Sequence, residues 1–86
     1  MVILILEKAP VSLRGELSRF MIEPRTGVFV GRVSAMVRDK LWDLTMARLK
    51  GGGAVMVHSS PNEQGFRVRT FGATKREVVD FGGVSL

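Results

Sequence analysis

Cysteine is absent from the 86 residues, which excludes disulfides and thiolate metal sites. Histidine occurs once, as His58, so a histidine metal cluster is excluded too; a lone imidazole in a strand is ordinarily structural or on the surface. Ser59 and Ser60 adjoin it in a turn and offer no credible Ser-His-Asp arrangement. No long apolar run is present either: Val2 to Leu6 is five residues, far short of a membrane span or a signal-peptide core. A cytoplasmic protein without a membrane partner is therefore expected. The triplet Gly51-Gly52-Gly53 is not a phosphate loop, which needs Lys-Ser/Thr opening a helix after the glycines; here Ala54 begins a strand. The triplet reads as a helix C-cap and turn.

Thirteen Lys/Arg stand against eight Asp/Glu, a net charge of +5, and nine of the thirteen are Arg. The planar guanidinium fork pairs well with phosphate oxygens, so this bias suits a polyanionic partner such as nucleic acid. Charge speaks to partners and solubility, not to fold. Apolar residues make up 45% of the chain, which argues against general disorder. The length allows one domain, residues 1–86, with a modest core.

Val2 to Leu6 is continuously apolar and β-branched, as in a central strand covered on both faces. Ser12 is placed to cap a first helix from Leu13, with Leu13, Leu17, Phe20 and Met21 as its core stripe and Pro24 as its stop. Gly27 frees the turn into a strand, Val28 to Gly31, and Ser34 caps a second helix running to about Leu49. In that helix Val37, Leu41 and Leu44 face one way and Trp42, Met46 and Leu49 widen the apolar arc. That width implies a deep groove or a partner subunit on the flank. Ala54 to Ser59 and Phe66 to Phe71 read as a hairpin. Phe66, Val68 and Thr70 share one face of its second strand, Arg67 and Arg69 the other. Beyond Gly72, Val78-Val79 begins another extended piece, and a β-prone segment is cut short at Leu86. The order describes an α+β ferredoxin-like sandwich, a small mostly antiparallel sheet with two helices on one face. Its open face would be partly apolar, suited to RNA or a second copy, although the aromatic-basic signature of an RNA-recognition motif is missing.

Glu7 ends the central strand, where a carboxylate can hold a divalent ion or orient water for phosphodiester attack if other oxygen ligands arrive. No spacing rule brings Asp39, Asp43 or Asp80 to it. A two-fold dimer would set Glu7 opposite its own copy; the plainer reading is a carboxylate that caps backbone or pairs with Arg. Arg14 sits in the first turn of helix one, where free backbone donors attract phosphate. Lys75 and Arg76 are adjacent on a loop and can straddle a backbone. Arg67 and Arg69 can track a groove or keep an edge soluble. Arg32 lies near the N-terminus of helix two, whose field disfavours a cation, a mild misfit that points to a partner.

These segments together resemble the small, second universal core protein of the CRISPR adaptation machinery, in its type I-E branch. The residues that carry the resemblance are Glu7 after the first strand, Pro10, Leu13-Arg14-Gly15 and Leu17. Glu23, Arg25, the run Gly27-Val28-Phe29-Val30-Gly31, Val33-Ser34-Ala35, Arg38 and Trp42 continue it. Val55-Met56, Gly65-Phe66, Thr70-Phe71-Gly72 and Val79-Asp80 complete it. The resemblance implies a ferredoxin-like homodimer that lies along the duplex of captured prespacer DNA and bridges two dimers of the large CRISPR integrase subunit. The integrase would do the strand transfer and this subunit would act as scaffold. Many family members are described as metal-dependent nucleases acting on RNA or double-stranded DNA, with an acidic residue at the end of strand one. Glu7 takes that position, so the alternative is an Mg²⁺- or Mn²⁺-dependent phosphodiesterase with Glu7 as catalytic residue and metal ligand. Most of the family carries Asp there, and the type I-E branch Glu, which favours the scaffold role, for which no metal is needed. Family positions that contact duplex phosphate map onto Arg14, Lys75 and Arg76, whereas Ser12 and Met36 stand where relatives can have Arg or Lys. Arg32, Arg67 and Arg69 would then supply compensating charge. Relatives continue beyond the equivalent of Leu86 with a strand that helps dock the integrase, so a truncated or naturally shortened chain is expected to bind it less well. A generic RNA-binding ferredoxin-like protein is the remote third reading.

Overall fold

The N-terminal apolar run forms β1 (Val2–Glu7), the middle strand of a five-stranded sheet, in the computed structural model of this protein, which describes residues 1–72. There follow α1 (Val11–Leu17), β2 (Ile22–Arg25), β3 (Val28–Gly31), α2 (Ala35–Arg48), β4 (Gly53–Ser59) and β5 (Phe66–Gly72). The sheet order is β2-β3-β1-β4-β5 and every neighbouring pair is antiparallel. This is the expected ferredoxin-like α+β arrangement, extended at one edge by β5. No helix among the described residues is long and apolar enough to cross a membrane.

Burial alternates along β1. Val2, Leu4 and Leu6 are buried while Ile3, Ile5 and Glu7 are half-buried, so only one face is covered and the expectation of cover on both faces is corrected. Antiparallel register carries the same division across the sheet. Leu4 lies opposite Phe29 and Met56, all fully buried beneath Leu13 and Leu17 of α1 and Leu41 and Trp42 of α2. Each such side chain contributes roughly 1.5–3 kcal/mol relative to exposure. Trp42 and Leu49 belong to this same core, with Met46 packed against it. The wide apolar arc of α2 is thus explained by a groove between sheet and α1. The open face carries Ile3, Ile5, Val28, Val30 and Val57, continued outward by the exposed Ile22, Val68 and Phe66.

The first helix departs most from expectation. It begins at Val11 and ends at Leu17, not at Pro24, and Pro10 occupies the N-cap without a side-chain cap bond, so Ser12 does not cap it. The backbone tightens at once: Arg19 N–H bonds Glu16 O at 3.2 Å and Phe20 N–H bonds Leu17 O at 3.0 Å. Met21 stays in the core, but Phe20 is 48% exposed and leaves the stripe. Ile22–Arg25 is the edge strand β2, and Pro24 fits there because an edge strand tolerates a missing ladder donor. At the β2–β3 turn Gly27 has φ 82°, and a Cβ on it would stand 2.6 Å from Leu6 O.

The second helix matches expectation at its start, where Ser34 Oγ accepts from Val37 N–H at 3.2 Å. At its end the C-cap is Leu49 in an extended conformation, not the glycine triplet. Gly51 makes the turn and Gly53 already belongs to β4.

Candidate nucleic-acid interface

Arg14 is held by a local network. It lies in the last turn of the seven-residue α1, and its own N–H already bonds Pro10 O at 3.1 Å. Its own N–H is therefore not a free donor. Its Nε donates to Glu23 Oε2 at 3.0 Å, and the same oxygen accepts Gly27 N–H at 2.8 Å. The Gly27 amide first, and the Arg14 guanidinium second, hold the Glu23 carboxyl below its ordinary range. Arg14 thus staples α1 to the β2–β3 turn through Nε, with its Nη groups outside that bond.

A second cationic group gathers on the helix face of the β4–β5 hairpin. Register places Arg67 opposite His58 and Arg69 opposite Met56, and α2 brings Arg38 and Asp39 over them. Asp39 Oδ1 accepts from Arg38 Nε at 3.1 Å and from Arg69 Nη2 at 2.8 Å, which keeps its carboxyl below the ordinary range, Arg38 contributing most. Arg67 Nε donates to Ser60 Oγ at 3.3 Å. His58 is 5% exposed, with Nδ1 2.9 Å from Ser59 O and 3.2 Å from Arg38 Nη1. One nitrogen cannot donate to the first and accept from the second. The shorter contact favours a proton on Nδ1, as does the buried Nε2, which has no hydrogen-bond partner among the described residues: an orphaned lone pair costs less than an orphaned N–H. His58 is structural, as expected of a lone strand imidazole.

Arg32 is exposed immediately after β3, beside a shallow groove that also borders Arg19, Phe20 and Ile22. Lys75, Arg76 and Asp80 lie outside the described residues.

Glu7 points to the open sheet face, in register with Ile3 and Ile5. It stands opposite Gly53, which stands opposite Gly72. Gly52 presses against this rim, where a Cβ would collide with Glu7 O. Asp39 belongs to the other face of the sheet and cannot join Glu7. Among the described residues no three His, Cys, Asp or Glu side chains form a group fit for a metal ion.

The family model described as CRISPR-associated protein (Cas_Cas2CT1978) matches residues 1–86. The chain belongs to this family. Membership gives this CRISPR-associated protein a Cas2-like role in CRISPR adaptation, among other Cas proteins. Of the arginines singled out from sequence, Arg67 and Arg69 border one cleft, whereas Arg14 lies on α1 and Arg32 just beyond β3. Sequence reasoning did not reach Arg38 as a member of the Arg67–Arg69 group, nor Asp39 as its counter-charge. Only the hairpin register gave a signal: alternation around the Pro61–Gly65 turn sets Arg67 beside His58. The approach of α2 to that pair is a tertiary fact with no local signature.

Proposed function

We infer that this CRISPR-associated protein is a homodimeric scaffold of the spacer-acquisition complex, binding the backbone of the prespacer DNA duplex and bridging two dimers of the large integrase subunit. One observation carries this reading, the partition of the sheet into two kinds of surface. The open face is apolar around Ile3, Ile5, Val28, Val30 and Val57, while Arg67 and Arg69 project on the opposite face of β5. A second copy can cover the first surface while phosphates meet the second. By the family resemblance Arg14, Lys75 and Arg76 also contact duplex phosphate, with Arg32 as compensating charge.

The position of Glu7 favours a second reading, a phosphodiesterase of the assembled dimer. Its side chain lies on the face that a second copy would cover, so two-fold symmetry can pair the two carboxylates. Paired Glu7 residues would hold Mg²⁺ or Mn²⁺. Among the described residues no second carboxylate of the same chain joins Glu7 in a metal-binding group. Reconstitution with the large integrase subunit and a labelled prespacer, wild type beside Glu7→Ala, separates the two readings.

A further inference from the structure

Between α2 and the tip of the β4–β5 hairpin lies a cleft of about 460 Å³, bordered by Arg38, His58, Ser60, Asn62, Arg67 and Arg69. Three guanidinium groups border it, and the carboxylate of Asp39, at 2.8 and 3.1 Å from two of them, is their acidic partner among the described residues. The donors are not used up. With the proton of His58 on Nδ1 and directed to Ser59 O, Arg38 Nη1 meets an N–H there instead of a lone pair. Ser60 Oγ accepts from Arg67, so its own hydroxyl proton remains to be donated elsewhere. The wall is also built in advance. Asn62 ties the hairpin loop at both ends of its amide, Nδ2 to Phe66 O at 3.0 Å and Oδ1 from Gly65 N–H at 2.8 Å. A ligand entering the cleft does not have to order this loop.

We propose that the cleft is a receptor for a phosphate monoester, the group found at a nucleic-acid strand end and on a free nucleotide. Three guanidinium groups against one carboxylate leave an excess that matches the roughly −1.5 to −2 charge of a phosphomonoester, about twice that of a backbone diester. Ser60, Pro61 and Asn62 of the hairpin loop border the cleft. The proposal rests on the nucleic-acid reading above and deepens it, assigning to Arg67 and Arg69 the end of a strand.

Fluorescence anisotropy of the full chain with a short labelled single strand, carrying or lacking a 5′-phosphate, tests it. The phosphate should tighten binding by at least about tenfold. Arg67→Gln/Arg69→Gln should abolish that gain. Arg67→Gln alone, which disturbs only the exposed Ser60 contact, should reduce it without moving the thermal midpoint. Competition by adenosine monophosphate, lost in the same variants, identifies a free nucleotide as a ligand; failure to compete alongside a retained gain identifies the strand end. No gain from the phosphate, or an equal gain in both variants, overturns the proposal. Duplex binding and integrase bridging that persist without a 5′-phosphate effect would leave the scaffold reading standing and remove this site alone.

Discussion

Arg69 Nη2 lies 2.8 Å from Asp39 Oδ1, so one carboxylate on the second helix restrains an arginine of the edge strand that sequence reading assigns to nucleic acid. Asp39 is a counter-charge to Arg38 and Arg69. Asp39→Asn should leave the magnitude of the log-affinity versus log-salt slope for duplex binding undiminished, and the exposed Asp43→Asn should behave likewise. Salt titration of the assembled complex checks this; a shallower slope for either variant would contradict it.

Neutralising Lys75 and Arg76 together should weaken duplex binding about equally for unrelated sequences, since phosphate contacts position a protein and carry no base information. Each lost contact should reduce the slope magnitude by about 0.9 on B-form DNA. Arg14→Gln should do the same at that single contact, and in addition lower the thermal midpoint because Glu23 loses its guanidinium partner. An unchanged slope for the Lys75/Arg76 double variant would mean that these side chains are only solvated charge.

Glu23 makes stability depend on acid pH. Its carboxyl titrates below the ordinary value of 4.5 because the Gly27 N–H and Arg14 favour the ionised form. The group therefore contributes stability that is fully present above the unfolded pKa and is lost as pH falls through the lower folded one. Urea unfolding from pH 7 downward should show that loss in the wild type. Glu23→Gln should be less stable at pH 7 and show a flatter acid limb; an identical pH profile would contradict the role given to this carboxylate.

Gly52→Ala should be strongly destabilising, by roughly 2 kcal/mol or more, because the added Cβ meets backbone at Glu7 O and not a yielding side chain. Denaturant unfolding reads this directly. Gly51→Ala is a useful contrast: nothing stands near its Cβ, so its cost comes from the φ of 77° alone.

The elements that sequence revealed are those with an unbroken local signal. The apolar run of β1, the Val-Phe-Val of β3, the Ser34 cap and the paired runs of β4 and β5 all stand close to where periodicity and turn chemistry put them. The strand β2 was hidden because Ile-Glu-Pro-Arg has one apolar residue, two charges and a proline, and only its place at the sheet edge makes that composition acceptable. Phe20 was misassigned for the related reason that α1 stops a turn early. Arg67 and Arg69 were legible as one face of a strand, but their convergence with Arg38 depends on how α2 crosses the sheet.

Integration in a reconstituted system tests most directly the proposal that this CRISPR-associated protein serves adaptation as a scaffold. The large integrase subunit, a labelled prespacer and either wild type or Glu7→Ala should give near-equal spacer integration, while any metal-dependent cleavage by the isolated protein disappears in the variant. Loss of integration by Glu7→Ala, with assembly and DNA binding intact, would contradict the scaffold account and place the chemistry at Glu7.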